Sequence, residues 1–197
     1  DHPGVPSLDL GFSGKYGVYH SIFDDFAWME KHGDPEFITH TVAARFFTVL
    51  AMRSAAAEVL PFRFGPYAEA LRGYVDEMRL ISARRGRAKL AQAGATGPQS
   101  DAQADGFPGL PELIASVRAF RARANETDQV LNQLTARDGI APEALARINE
   151  LLVAAERKFL LPNGLPGRPW FRHAVYAPGL STGYAAWPLP LIRQAIE

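Results

Sequence analysis

Apolar residues recur every three or four positions through most of the 197-residue chain, and this spacing places them on one face of an α-helix. Three of the periodic segments cover residues 37–61, 67–81 and 113–134. A fourth covers residues 142–159 with a proline near its start, and a shorter one covers residues 22–33. The pattern predicts an all-α protein whose main architecture is a helical bundle.

Capping residues predict where the first two helices begin. Ser21, with Asp24 three positions later, resembles the start of the first helix. Asp34 followed by Pro35 is typical of a second helix start, because aspartate caps exposed N–H groups and proline fits the first turn. We expect this second helix to run to Pro61 and to be mostly buried.

Two segments lack the helical pattern. Residues 92–109 are small, polar and rich in glycine and proline, so we expect a mobile loop that buries too little apolar surface to offset its ordering entropy. Residues 161–190 are rich in proline, glycine and aromatic residues, which predicts irregular structure. A short helix then begins at Leu191. Because such a short helix is marginal, we expect the natural chain to continue past Glu197.

Composition narrows the possible functions. The chain has 21 Lys+Arg and 21 Asp+Glu, so its charge gives no basis for binding nucleic acid. The absence of cysteine excludes a disulfide framework, a thiol nucleophile and a cysteine-ligated metal. There is no run of about 18 uninterrupted apolar residues, so we expect no membrane segment in this chain.

Two groups of residues could bind a metal. His32, Glu36 and His40 are four positions apart, but Gly33 to Pro35 interrupt any helix that would align them, so we interpret them as a helix end and two surface histidines. Tyr19 and His20 follow a glycine-rich loop and could place a metal ligand beside a hydroxyl donor. A single histidine is more often structural, and residue types alone leave both interpretations open.

Longer blocks of sequence resemble a known family. Residues 16–35, YGVYHSIFDDFAWMEKHGDP, are similar to the segment with the last zinc ligand in M28 zinc peptidases of the glutamate carboxypeptidase II (N-acetylated alpha-linked acidic dipeptidase) type. Residues 60–78 and residues 161–179, LPNGLPGRPWFRHAVYAPG, followed by Gly183 and Tyr184, resemble the C-terminal helical domain of that group. That domain is the transferrin-receptor-like dimerisation domain.

The resemblance implies two parts. Residues 1–60 would be the last loop and helices of an α/β zinc-peptidase domain, and residues 61–197 would be the dimerisation domain, truncated at its C-terminus. The implied function is homodimerisation and scaffolding of a di-zinc exopeptidase that cleaves peptide substrates, with an extracytoplasmic or secreted location. In this family two zinc ions activate a water molecule that attacks the peptide carbonyl.

Individual site residues follow from the same resemblance. His20 matches the final histidine zinc ligand, and Tyr19 matches a catalytic tyrosine whose hydroxyl reaches the tetrahedral intermediate and the substrate carboxylate. Tyr184 matches a tyrosine in the loop that covers the substrate pocket, with simple aromatic packing as the alternative. Gly183 replaces the lysine of glutamate-preferring members, and residues 7–11 lack their arginine patch, so the resemblance does not imply a preference for glutamate.

The same resemblance predicts that this chain alone is inactive. The other zinc ligands and the catalytic glutamate of the family belong to sequence before Asp1, so we expect no tightly bound zinc. Phe12, Phe23, Phe26 and Trp28 would pack against the peptidase domain. The alternatives are a non-catalytic transferrin-receptor-like protein-binding domain and an independent helical interaction module.

Overall fold

The computed structural model describes residues 4–8, 10–92, 108–137, 139–180, 182 and 185–196. They form two compact units. The first unit is residues 7–61, and the second unit is residues 62–196 together with residues 4–6. The mobile loop expected at 92–109 therefore lies almost wholly outside the described residues.

The described part of the first unit contains two helices joined by a π-helical turn. Helix α1 is Phe26–Trp28, the turn is Met29–Gly33, and helix α2 is Ile38–Ala56. The expected start at Ser21 is wrong. The Asp25 carboxylate instead accepts a hydrogen bond from the Trp28 backbone N–H at 2.8 Å, and this cap fixes the start at Phe26.

Helix α2 also begins later than the proline at position 35 predicts. Phe37 adopts a left-handed backbone (φ 51°), which separates the Asp34-Pro35 turn from the first helical residue, Ile38. Asp34 still caps the helix, because its carboxylate accepts the His40 backbone N–H at 3.0 Å.

The expectation that α2 is mostly buried is wrong for this chain. No residue of α2 is buried, and Val42, Phe46 and Val49 each expose about half of their surface. The first unit is too small to cover the apolar residues on this helix. The apolar face of α2 is therefore a surface that no other described element of the first unit covers.

Four helices lie in the described part of the second unit, which confirms the all-α class. They are α3 (Phe64–Gln92), α4 (Leu110–Thr135), α5 (Pro142–Arg157) and α6 (Pro190–Ile196). Among the described residues, no helix is both long enough and apolar enough to cross a membrane.

A small β-hairpin lies where only irregular structure was expected. Strands β1 (Tyr176–Pro178) and β2 (Ala186–Pro188) pair antiparallel, with Ala177 opposite Trp187. The strands are three residues each, so their contribution to the fold depends on packing against the helices.

The core of the second unit joins α3 and α4 to the hairpin region and α6. Its buried members are Leu71, Val75, Met78, Leu110, Val175, Leu189 and Ile196. Tyr67 of α3 packs edge-on against Phe120 of α4 at 6.3 Å between ring centroids. Helices α3 and α4 thus meet along their predicted apolar faces.

Helix α3 receives its cap from α4 rather than from a neighbour in sequence. The Asp128 carboxylate accepts the backbone N–H groups of Phe64 and Gly65, both at 2.8 Å. Gly65 allows this close approach, because a Cβ there would lie 2.9 Å from the carboxylate oxygen. The contact joins the end of α4 to the start of α3, so the two helices run antiparallel.

We expect Asp128→Ala to lower the free energy of unfolding by about 1 to 2 kcal/mol, because two N–H groups at the start of α3 lose their acceptor. Asp128→Asn keeps one acceptor oxygen and should lose less. Urea unfolding of both variants measures the difference. Equal stability of Asp128→Ala and the unchanged chain would contradict this capping role.

Candidate functional site

Tyr19 and His20 lie in a tight turn before α1. His20 has a left-handed backbone (φ 61°), and the Ser21 N–H donates to the Val18 carbonyl at 2.9 Å. This turn stacks the two rings on each other, with centroids 3.9 Å apart and planes 20° apart. Both side chains are exposed, so the turn presents an imidazole and a phenol to the outside of the first unit.

The residues present do not form a zinc site by themselves. Within the part of the chain that the structure describes, no three histidine, cysteine, aspartate or glutamate side chains are grouped closely enough to hold a metal ion. Catalytic zinc sites use about three protein ligands, and His20 can supply one. The assignment of His20 as a ligand, and of Tyr19 as its catalytic neighbour, stays a prediction.

Tyr184, the predicted pocket residue, lies outside the described residues, as does Gly183. Hydrogen bonds join the residues on either side of them. The Gly179 N–H donates to the Thr182 hydroxyl at 2.9 Å, and that hydroxyl donates to the Ala185 carbonyl at 2.8 Å. Gly179 has no room for a side chain, because a Cβ there would overlap the Trp187 ring.

His32 and His40 are exposed, as the sequence suggested, but they line one cleft of about 580 Å³ in the first unit. His40 Nδ1 lies 2.7 Å from the Asp34 carboxylate. Its second nitrogen, Nε2, makes no contact that would complete a metal site among the described residues. The cleft therefore contains a His40–Asp34 pair and not the three-ligand metal site that the spacing of His32, Glu36 and His40 could have formed.

The hydrogen bonds from His40 lower the pKa of the Asp34 carboxyl below its ordinary value of 3.8. We expect an NMR titration to give a pKa below 3.8, and His40→Ala to raise it, because the side-chain hydrogen bond contributes most. The pair therefore stabilises the fold above the unfolded-state pKa of Asp34, and that contribution is lost as pH falls through the folded-state pKa. His32→Ala removes another cleft histidine and should leave the titration of Asp34 unchanged. An unchanged titration in His40→Ala would contradict the assigned cause.

A buried polar pair lies in the second unit, and sequence reasoning missed it. The His173 side chain is fully buried, and its Nε2 lies 2.9 Å from Glu156 Oε1 on α5. Its Nδ1 accepts the Val175 backbone N–H at 3.2 Å. Because Nδ1 accepts, the proton of a neutral imidazole lies on Nε2, which donates to Glu156. The pair fixes the chain before β1 to α5.

Two tyrosines next to this pair have pKa values above the ordinary value of 10.0. Burial is the main cause that raises the pKa of Tyr67, and the neighbouring Tyr176 and Glu156 raise it further. Burial also raises the pKa of Tyr176, whose ring stacks on His173 at 4.9 Å between centroids. These phenols are packing groups of the fold and not acids at ordinary pH. The sequence signal for this cluster is weak, since Glu156 and His173 are 17 positions apart.

Known proteins share sequence with this chain over its whole length. Residues 108–197 match the transferrin receptor-like dimerisation domain. The chain is 30% identical over its full length to probable glutamate carboxypeptidase LAMP1 of Arabidopsis thaliana, of which it covers 25%. It is 32% identical over 90% of its length to probable glutamate carboxypeptidase VP8 of Zea mays, of which it covers 22%. Aminopeptidase NAALADL1 of Rattus norvegicus is 25% identical over 92% of the chain, which covers 24% of that protein. The chain thus spans about a quarter of the length of these relatives.

Proposed function

We propose that this chain, which contains a transferrin receptor-like dimerisation domain in residues 108–197, is the homodimerisation and scaffolding part of a di-zinc exopeptidase. The observation that carries the proposal is that a match to a dimerisation domain lies within a whole-chain similarity to glutamate carboxypeptidases. The parent would be an M28 peptidase of the glutamate carboxypeptidase II type.

Exposed apolar surface on the first unit supports the proposal that this unit contacts a peptidase domain in the parent protein. Phe12, Phe23 and Phe26 each expose more than 60% of their surface, and α2 has no buried residue. Exposed apolar surface of this extent is typical of a contact with another protein layer. The chain also spans only about a quarter of its relatives, so enough sequence remains in them for such a layer.

The first unit would supply part of the catalytic centre. In this proposal His20 is one zinc ligand, and the adjacent Tyr19 hydroxyl donates a hydrogen bond to the oxygen that gains charge during peptide cleavage. Zinc, when bound in the parent, would activate the attacking water. Tyr184 would contact the substrate. The stacked, exposed arrangement of Tyr19 and His20 supports a joint role at one surface.

The substrate would be a peptide cleaved at one end. The relatives carry both carboxypeptidase and aminopeptidase names, so the common chemistry is exopeptidase cleavage. A glutamate preference is not part of the proposal, because Gly183 and residues 7–11 provide no cation for an acidic substrate side chain.

Light scattering after gel filtration tests the scaffolding role. We expect a mass twice the 21.6 kDa of one chain at micromolar concentration, because helical domains of this kind pair through the same surface on both copies. A monomer across that concentration range would contradict homodimerisation.

A control must separate this dimer from association through the exposed α2 surface. Phe46→Ser with Val49→Ser makes that surface more polar, and each residue is already about half exposed. The dimer should persist in this variant. Loss of the dimer would show that it formed through the surface proposed to contact the peptidase domain.

Zinc titration tests the single-ligand assignment. The chain alone should show no tight stoichiometric zinc site, since His20 has no group of ligands around it among the described residues. Nanomolar affinity would contradict the assignment. Gene sequence before the codon for Asp1 provides an independent test, because the proposal requires one histidine, two acidic ligands and a pair of glutamates there. Their absence would favour the non-catalytic, protein-binding alternative.

A further inference from the structure

A cleft of about 310 Å³ lies between α3 and α4 of the second unit. Four arginines and one aspartate line it: Arg72, Asp76, Arg79, Arg118 and Arg121. The cleft volume is at the lower end of the range for small-molecule sites in proteins. This concentration of one sign of charge is notable in a chain whose net charge is zero.

Two of the arginines are already paired. Arg72 Nε donates to Glu69 at 2.9 Å, and its Nη1 donates to Asp76 at 3.0 Å. Arg121 lies 3.9 Å from the same Glu69 carboxylate, at the limit of an ion pair. Asp76, the acidic residue of the lining, is therefore already paired with Arg72.

Arg79 and Arg118 remain, one on each helix. Neither forms an ion pair with any described residue of the chain. Both are exposed, so their guanidinium groups can move without disturbing the core. Each guanidinium offers a planar fork of N–H donors that fits a carboxylate in a two-point contact. An anion between the helices could therefore contact both.

The wall of the cleft between these arginines is apolar. Val75 of α3 is 3% exposed, and Ile114 and Val117 of α4 are half-buried beside it. A hydrocarbon chain would lose little by contact with this wall, whereas a bare inorganic anion would gain nothing from it. The lining favours a ligand with charged ends and a short carbon backbone.

We propose that this cleft binds a small organic anion with two or more carboxylate groups on a short hydrocarbon chain. Arg79 and Arg118 hold the carboxylates from opposite helices, and Val75, Ile114 and Val117 contact the carbon chain. The cleft belongs to the second unit, whereas Tyr19 and His20 belong to the first unit. Anion binding in the cleft does not depend on the proposed peptidase function.

Isothermal titration calorimetry of the 197-residue chain with citrate at low salt tests this site. We expect saturable binding to one site per chain. Arg79→Gln and Arg118→Gln should each weaken it about tenfold, the loss expected for one charge-assisted contact. Added salt should also weaken binding, because both arginines are exposed. Undetectable heat of binding at millimolar citrate would overturn the proposal.

Arg123→Gln is the matched control. It removes the same charge from α4, but Arg123 lies outside the cleft lining and pairs with Glu126 at 2.8 Å. Citrate affinity should be unchanged in this variant, and an equal loss in Arg79→Gln and Arg123→Gln would mean that only net charge matters. Circular dichroism should show that all three variants retain their helices.

Two further ligands distinguish the chemical class. Pyrophosphate has closely spaced charges but no carbon chain, so we expect it to bind more weakly than citrate, and equal or tighter binding would overturn the role of the apolar wall. A short polyglutamate peptide presents carboxylates on a protein-like ligand. Tighter binding of that peptide than of citrate would overturn the small-molecule assignment.

Discussion

Gly164→Ala is expected to destabilise the second unit by more than about 3 kcal/mol. Gly164 has a left-handed backbone (φ 68°), and a Cβ there would collide with the Pro169 carbonyl group and lie 2.7 Å from the Pro169 Cα. The obstacle is backbone, so a side-chain rotation cannot relieve the clash. The backbone must move, and this would disturb the Leu165 N–H bond to the Phe171 carbonyl at 2.8 Å. Urea unfolding, followed by circular dichroism, measures the effect.

Gly167→Ala is the matched control for this variant. Gly167 has nearly the same backbone angle (φ 69°), but no atom lies within 4 Å of the position that a Cβ would take. Only the left-handed backbone penalty of about 1 kcal/mol should remain. A similar loss in both variants would show that the turn relaxes around Gly164 and that the close approach to Pro169 has no structural importance.

His173→Ala is expected to cost about 3 to 5 kcal/mol. The substitution creates a cavity at a fully buried position, removes the donor to Glu156, and leaves the Val175 N–H without its acceptor. It should also weaken the attachment of the chain before β1 to α5. Urea unfolding gives the stability, and hydrogen exchange of the β1 and β2 amides reports whether the hairpin opens first.

Glu156→Gln separates hydrogen bonding from charge at this pair. A glutamine oxygen still accepts from His173 Nε2, so we expect a loss of about 1 kcal/mol if the imidazole is neutral. A loss as large as that of His173→Ala would contradict the neutral tautomer. It would show that the pair depends on the carboxylate charge.

The helices could be predicted because the spacing of apolar residues every three or four positions is visible within short stretches of sequence. Residues 67–81, 113–134 and 142–159 carry that period, and α3, α4 and α5 formed there with boundary shifts of a few residues at most ends. The largest boundary difference is the extension of α3 to Gln92, where polar residues continue a helix that the core had already established.

The structure differs from the sequence-based predictions where elements are very short or where contacts between distant residues determine the outcome. Strands β1 and β2 are three residues long and each ends in proline, so no alternating pattern reveals them. The exposure of α2 could not be predicted from its apolar period, because a period shows which residues share a face but not whether another element covers them.

The candidate site was predictable only in part. Tyr19 and His20 were found as neighbours in sequence, but their stacking depends on the left-handed backbone of His20, which its residue type does not predict. The Glu156–His173 pair and the Arg79–Arg118 cleft join residues far apart in sequence. Such groups are visible only after the helices are assembled.

The Asp128 cap has a consequence for how this domain can diverge. Because that carboxylate fixes α4 against the first turn of α3, the alignment of the two helices is set where α3 begins. A change at position 128 therefore requires a compensating acceptor for the two backbone N–H groups at the start of α3, so the two helices cannot vary independently at this point.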